Sequence, residues 1–222
     1  MSLDQYDVFS TVPDRSVRDG TEMKLIERLH GSYVFGRRTR VLSDHLGKLI
    51  PKDGSVLDVG CGNGLLASLI TQKRPDVTLR GIDVLVRSQT HIPVDKFDGR
   101  VIPFADNSFD AVMFVDTLHH THDPMILLRE AVRLARRAIL IKDHTLNGLF
   151  SGPRLRFMDR VGNARYSVAL PYNYWPQQRW LETFETLGLK VPVWFTKLEL
   201  YPWPATWFFD RSLHFMARLD LN

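Results

Sequence analysis

Residues 56–64 read VLDVGCGNG, and this stretch decides the fold. A short apolar run carries an acid, Asp58, and three glycines follow it at alternate positions, Gly60, Gly62 and Gly64. Because glycine adopts positive φ readily and has no Cβ, such a turn lets a ligand come close to the backbone. In open parallel sheets, ligands bind beyond the carboxyl ends of the strands, where a turn of this kind lies. The stretch therefore predicts a first strand followed by a ligand-binding turn.

Segments typical of strands and helices alternate along the rest of the chain. We expect strands at residues 55–60, 77–84, 99–104, 109–116, 138–144, 189–200 and 213–221, the third being the short segment GRVIPF. We expect helices within residues 20–49 and at 64–74, 123–137 and 179–188. Asp123 is the expected N-cap of its helix, with Pro124 at the first helical position, and Gly188 is expected to end the following helix. This alternation favours an α/β fold, with a parallel sheet covered by helices on both faces.

The length of 222 residues favours a single domain with an elaborated end. We expect four parts: an N-terminal helical cap (1–50, loosely ordered up to residue 20), a cofactor-binding half (51–143), an insertion rich in glycine, proline and aromatic residues (144–180), and a C-terminal helix with closing strands (181–222).

The composition and the N-terminus indicate the cellular compartment of the protein. The single cysteine, Cys61, excludes an internal disulfide framework and fits a reducing environment. The N-terminus lacks the basic start and apolar stretch of a signal peptide, and no apolar run reaches the roughly 18 residues of a membrane span. We therefore expect a cytoplasmic protein without stable membrane insertion. The net charge of +4 is spread along the chain rather than gathered into a stripe.

Two classes of nucleotide ligand compete for the glycine turn: dinucleotides and S-adenosylmethionine (SAM). The dinucleotide pattern G-x-G-x-x-G places its third glycine where this chain has Leu65. Asp58 would repel a pyrophosphate, whereas it suits a cation such as the methionine ammonium of SAM. Asp83 follows Gly64 at close to the roughly 20-residue spacing at which an acid meets ribose hydroxyls. Asp98 is in place to accept a hydrogen bond from an adenine amino group.

The segments VLDVGCGNG, GIDV, DGRVIPFADNSFD and LHH resemble, in order and spacing, the class I SAM-dependent methyltransferases. The resemblance covers about residues 52–143 and is greatest to the small-molecule (methyltransferase type 11-like) branch, which includes quinone-ring methyltransferases. It implies a Rossmann-like, mostly parallel sheet of seven strands with helices on both faces and the last strand antiparallel. It also implies SAM as cofactor, S-adenosylhomocysteine (SAH) as product, and a set of cofactor contacts. These residues, with Gly64 completing the turn, are Asp58, Gly60, Cys61, Gly62, Asp83, Val84, Asp98, Gly99 and Val115.

Lys142, Asp143 and His144 lie where the fifth strand opens toward the ligand side. Methyl transfer is an in-line displacement, so the enzyme mainly aligns and desolvates the reacting groups. If the acceptor is a hydroxyl, a base helps, and His144, or Asp143 acting through it, is the candidate. The alternative is a strand-end cluster bonded to backbone groups.

The histidines of LHHTHD raise the question of a metal. His119, His120 and His122 lie within four residues, but the only cysteine is elsewhere and no H-E-x-x-H spacing occurs. We therefore expect no metal, with one histidine packed near the cofactor and the others facing water.

These observations favour methyl transfer from SAM to an oxygen or carbon atom of a small molecule, aromatic or lipidic in character. The alternative is a non-catalytic SAM- or SAH-binding module. The pattern of the amino-methylating nucleic-acid enzymes is absent after the fourth strand, where DTLHH stands, so we expect no nucleic-acid partner. Arg37 and Arg38 either meet an acidic group on the acceptor or are solvated. The aromatic residues of the C-terminal part either line a pocket or cover the sheet edge, and they are compatible with peripheral membrane association: Tyr172, Tyr174, Trp175, Trp180, Trp194, Trp203 and Trp207.

Overall fold

The computed structural model describes residues 36–163, 172–203, 205–210 and 212–222, and Arg37–Asn222 form one compact unit. The strands are β1 Ser55–Val59, β2 Thr78–Asp83, β3 Val94–Lys96, β4 Phe109–Val115, β5 Ala135–Leu146, β6 Trp175–Pro176, β7 Lys190–Phe195 and β8 His214–Asp220. The helices are α1 (36–49), α2 Leu65–Lys73, α3 Pro124–Leu134, α4 Ser151–Asn163, α5 Gln177–Thr186 and α6 Ala205–Phe209, with a 3-10 turn at Leu118–His120. The expectations for residues 1–35 lie outside the described residues.

The main sheet has the order β3-β2-β1-β4-β5-β8-β7. The strands from β3 to β5 pair in parallel, whereas β8 pairs antiparallel with both β5 and β7. The two-residue strand β6 adds to the end of β5. The expected fold class, a mostly parallel seven-stranded sheet whose last strand is reversed, is confirmed.

Two hydrophobic layers cover the sheet because successive strand residues face opposite sides. In β1, Leu57 and Val59 join the layer that includes α3 and α5, whereas Val56 joins the layer that includes α1 and α2. Each layer is built from apolar residues that are almost fully buried. This arrangement leaves the carboxyl ends of the parallel strands β1, β2, β4 and β5 at one edge, where the buried residues Asp58, Asp143 and His144 lie.

The expected start of α3 is confirmed. The Asp123 side chain accepts a hydrogen bond from the backbone N–H of Met125 at 3.0 Å, and Pro124 is the first helical residue. Proline is tolerated there because its missing N–H would have no partner within the helix.

The expected third strand at residues 99–104 is wrong. Side chains bind the backbone donors of this segment: Asp98 accepts from the N–H groups of Arg100 and Val101, and Glu130 accepts from that of Ile102. Donors engaged in this way are not available to a strand ladder. The edge strand is instead Val94–Lys96, just before this segment, and it pairs with β2.

The segment expected as an insertion has regular structure in its described parts. The strand β5 continues to Leu146, α4 follows at Ser151–Asn163, and β6 returns to pair with Thr145 and Leu146. Among the described residues, no helix is long and apolar enough to cross a membrane.

Candidate functional site

The glycine turn joins β1 to α2, and its three glycines all have positive φ. A Cβ at Gly60 would lie 2.5 Å from Cγ2 of Thr117, so protein atoms already fill the space on that side. At Gly62, by contrast, nothing lies within 4 Å of where a Cβ would be. The turn is therefore packed against the protein at Gly60 and Gly64 and open at Gly62. The open side fits a ligand that lies along the backbone.

Asp83 is held at this turn by the backbone. Its Oδ2 accepts from the N–H of Gly62 at 2.8 Å, and its Oδ1 accepts from the N–H of Leu85 at 2.9 Å. Each carboxylate oxygen has a second lone pair, so the fixed side chain retains capacity for two further donors. That capacity suits the two neighbouring hydroxyls of a ribose.

Apolar side chains lie exposed beside Asp83. Val84 is 51% exposed and Val101 is 64% exposed. A Cβ on Gly99, where φ is +80°, would lie 3.1 Å from Cγ1 of Val84, so the two loops come together. Hydrogen bonds from the N–H groups of Val101 and Arg100 lower the pKa of Asp98, which keeps it an acceptor. An apolar surface with an acceptor at its margin suits a flat base that carries an amino group.

Asp58 is buried, with 2% of its surface exposed. Burial raises its pKa to about 7, and the negative charge of Asp83 adds to the effect. A cation bound nearby would counteract the effects of burial and of the Asp83 charge, and would favour the ionised form of Asp58. Burial also raises the pKa of the Cys61 thiol, so Cys61 is placed to line the turn rather than to act as a nucleophile. Val115 ends β4 and packs against the layer that includes α1 and α2.

A buried polar cluster occupies the carboxyl ends of β4 and β5. We define it as Arg38, Asp116, His119, Lys142, Asp143, His144, Asp159 and His214. Asp116 forms ion pairs with both Arg38 and Lys142. Although burial opposes ionisation, the charges of Lys142 and Arg38 hold the pKa of Asp116 well below its usual range. Lys142 Nζ also lies 3.3 Å from Nδ1 of His214.

Asp143 holds His119 rather than the ring of His144. Its Oδ1 lies 2.5 Å from Nδ1 of His119, and its Oδ2 accepts from the N–H of Leu118 at 3.0 Å. Despite burial, the Asp143 carboxylate raises the pKa of His119 to about 10, so its ring is protonated in the metal-free protein. The ring of His144 lies 3.6 Å from Asp143 Oδ1, which is too long for a hydrogen bond. Asp143 does accept from the backbone N–H of His144 at 2.7 Å.

His144 carries a neutral imidazole. Burial lowers its pKa, and the positive charges of His119 and Lys142 lower it further. Its Nδ1 lies 3.3 Å from Nδ1 of His119 and 3.6 Å from Oδ1 of Asp116. The Nε1–H of Trp180 donates to its backbone carbonyl at 3.3 Å, which fixes the main chain at this position.

The sequence pattern of a family described as a methyltransferase domain matches residues 31–191 of this chain. The chain belongs to this methyltransferase family. It is 30% identical over 131 residues to 27-O-demethylrifamycin SV methyltransferase of Amycolatopsis mediterranei, a match that covers 50% of this chain and 48% of that enzyme. The chain thus spans about half the length of that curated relative.

Solved structures share the fold of this methyltransferase. A SAM-dependent methyltransferase from Aquifex aeolicus superposes with a TM-score of 0.55 at 17% identity, over 81% of this chain and 88% of that one. Geranyl diphosphate C-methyltransferase from Streptomyces coelicolor, in complex with Mg²⁺, geranyl-S-thiolodiphosphate and SAH, superposes with a TM-score of 0.61 at 13% identity, over 82% of this chain and 75% of that one. The open side of Gly62 and the fixed Asp83 carboxylate of the methyltransferase fit SAM as the cofactor.

Several residues of the methyltransferase's polar cluster are not predicted from the sequence as members of a site. Asp116 could have been noticed, because it is an acid at a strand end just as Asp83 is. Asp159 comes from α4 and His214 from β8, so only the fold brings them to His119 and Lys142.

Some aromatic residues of the C-terminal part are buried in the core, and others are exposed. Trp175 and Trp180 are almost fully buried in the hydrophobic layer that includes α3 and α5, so they build the core instead of a pocket. Trp194 stacks on Phe215 with ring centroids 4.2 Å apart. Trp203 is 87% exposed.

Proposed function

We propose that this methyltransferase transfers the methyl group of SAM to an oxygen or carbon nucleophile of a small, amphipathic acceptor, with His144 as the general base. The observation that carries the proposal is the buried imidazole of His144 at the carboxyl end of β5, whose Nδ1 lies 3.3 Å from Nδ1 of His119 and 3.6 Å from Oδ1 of Asp116. When bound, SAM supplies a methyl group activated by its sulfonium.

The cofactor side is assigned to the residues at the ends of β1, β2 and β4. Gly62 presents open backbone, Asp83 offers acceptors for the ribose, and Val84 with Gly99 offers an apolar surface for the base. Asp58 provides negative charge for the methionine ammonium. Gly60, Cys61, Gly64 and Val115 shape the same turn and strand end, and Asp98 stands at the margin of the base site.

The acceptor is assigned to the side of the polar cluster. His144 has a lowered pKa and therefore remains unprotonated at neutral pH, so it can take a proton from a hydroxyl or an acidic carbon. His119, protonated between Asp143 and Asp159, supplies a fixed positive charge 3.3 Å from that imidazole. Such a charge would stabilise an acceptor oxygen as it loses its proton.

The names of the relatives support this range of acceptors. One is named for O-methylation of a rifamycin and another for C-methylation of geranyl diphosphate. Both acceptors combine an apolar skeleton with polar groups. An acceptor of the same character would contact apolar side chains beside the polar cluster, where the guanidinium of Arg38 is already paired with Asp116.

The test begins with a screen of small-molecule acceptors using SAM labelled in its methyl group. With a positive acceptor, His144→Ala should lower kcat by about 100-fold or more, the usual contribution of a general base. SAH affinity should stay within about tenfold, or roughly 1.4 kcal/mol, because His144 lies on the acceptor side. His122→Ala is the matched control, since His122 is exposed in the same part of the chain.

Three results would oppose the proposal. Unchanged kcat for His144→Ala across pH 6 to 9 would show that the site acts by alignment alone. A loss of SAH binding equal to the loss of kcat would place His144 on the cofactor side. Binding of SAH without turnover of any acceptor, in screens that include cell extracts, would favour a non-catalytic SAM-binding module.

A further inference from the structure

Two buried ring nitrogens near the end of β4, on His119 and His120, make no well-formed hydrogen bond within the described residues. The two rings are adjacent, with centroids 4.0 Å apart. His119 Nε2 has only a long contact of 3.3 Å to Asp159 Oδ2, and His120 Nδ1 has no partner in the part of the chain that the structure describes. Because buried polar atoms nearly always have a partner, this pair of rings calls for a ligand.

A carboxylate from a distant part of the chain completes the group. Asp159 on α4 places its Oδ2 3.3 Å from His119 Nε2, and the same carboxylate accepts from the hydroxyl of Tyr174. One ligand atom each from His119, His120 and Asp159 all lie within 4.8 Å of one another. Two imidazole nitrogens and one carboxylate oxygen are a donor set that zinc and similar divalent ions prefer.

The spacing and the surroundings both suit a metal ion. Zinc bonds of about 2.0 to 2.2 Å in tetrahedral geometry separate ligand atoms by about 3.3 to 3.5 Å, close to the observed 3.3 Å. Asp143 lies 2.5 Å from Nδ1 of His119 and thereby orients the opposite ring nitrogen. A carboxylate in that position is the usual outer partner of a metal-binding histidine.

Two neighbouring groups of possible ligands are weaker candidates. Asp116, His144 and His214 surround the ammonium of Lys142, which pairs with Asp116 and lies 3.3 Å from His214, so a cation is already present. The group of His119, Asp143 and His144 uses an oxygen that already accepts from the backbone of His144. Neither group includes His120.

We propose that His119, His120 and Asp159 bind one divalent transition-metal ion of the zinc class, with Asp143 as the residue that orients His119. The spacing of the histidines in the sequence shows only two of these ligands, and the third comes from α4. The ion would tie α4 to the turn after β4. A bound ion would replace the proton on His119 Nε2 and would itself supply the positive charge near His144. Metal binding is measured separately from methyl transfer, so either proposal can fail alone.

The experiment uses the full chain, purified without a histidine tag and treated with a chelator. Zn²⁺ is titrated by calorimetry, and Co²⁺ is followed by its visible absorption, which is strong only in tetrahedral or five-coordinate sites. We expect one ion per chain, and no saturable binding of Mg²⁺, which prefers oxygen ligands. His120→Ala and Asp159→Asn should each weaken Zn²⁺ binding by more than about tenfold. His122→Ala should leave it unchanged.

The outcomes separate a built site from adventitious binding. Absence of saturable Zn²⁺ and Co²⁺ binding would overturn the proposal, and a proton on His119 would then take the place of the ion. Binding that His120→Ala leaves unchanged would overturn it too, because the ion would lie at surface histidines. If Asp159→Asn does not fold, His120→Ala decides alone, since that side chain is only partly buried.

Discussion

If Asp58 binds the cofactor ammonium as proposed, cofactor binding should be sensitive to pH. The pKa of this buried carboxyl is raised to about 7, first by burial and then by the charge of Asp83. In the ligand-free protein, Asp58 is therefore half protonated at neutral pH. Only the ionised form attracts the ammonium of SAM or SAH, so ligand binding should release a proton from Asp58.

The size of the effect follows from the ionised fraction. With a pKa of about 7, that fraction is about one half at pH 7, one tenth at pH 6 and one thirtieth at pH 5.5. SAH affinity should therefore fall about fivefold at pH 6 and about fifteenfold at pH 5.5, roughly 1 and 1.6 kcal/mol. Toward higher pH the gain is at most about twofold, because about half of Asp58 is already ionised at pH 7.

Calorimetry of SAH binding between pH 5.5 and 8 measures this dependence. Buffers with different ionisation enthalpies report the released proton directly. Asp58→Asn is the control: it should bind SAH more weakly at pH 7 and lose most of the pH dependence. The reasoning is refuted if wild-type affinity changes by less than twofold between pH 7 and 5.5, or if Asp58→Asn keeps the wild-type profile.

Three further predictions concern the same turn. The pKa of Asp58 is raised from 3.8 in the folded protein, so the free energy of unfolding of the ligand-free protein should fall as pH rises from about 4 through 7, by up to about 4 kcal/mol. Thermal melts over this pH range measure the effect. If the melting temperature of Asp58→Asn declined with pH as that of the wild type does, the prediction would be wrong. Asp83→Ala should weaken SAH binding by about 2 to 4 kcal/mol, measured by calorimetry, because it removes charge-assisted hydrogen bonds. Normal binding would disprove the ribose assignment. NAD should bind neither the wild type nor Asp83→Ala. Gly60→Ala should lower the melting temperature more than Gly62→Ala, because its Cβ would meet Thr117, whereas Gly62→Ala should mainly weaken SAH binding; equal melting temperatures would count against the packing argument.

The first strand and the glycine turn after it could be predicted from the amino-acid sequence alone. The strand, the glycine turn and the acids Asp58 and Asp83 are close together along the chain, and local patterns carry them. The same holds for the N-cap of α3, where Asp123 and Pro124 are adjacent. The resemblance to class I methyltransferases rests on these short segments, and the reversed strand β8 agrees with it.

The sequence pattern predicted a strand wrongly where side chains compete with a neighbouring strand for the backbone N–H groups. The segment at residues 99–104 has the apolar residues of a strand. Asp98 and Glu130 nevertheless engage the N–H groups of Arg100, Val101 and Ile102. Glu130 lies on α3, so its part in that outcome depends on the packing of α3 and not on the segment itself.

Which residues come together in the polar cluster depends on the tertiary structure. His119 follows β4, Asp143 is in β5 and Asp159 is in α4, yet they form one buried network. The sequence could show that Asp143 and His144 are neighbours, but not that Asp143 pairs with the ring of His119. Partner choice among buried charges depends on distances of a few ångströms between elements far apart in the chain. Those distances are set by how the sheet and its helices pack, because a buried charge must find its partner wherever the fold places one.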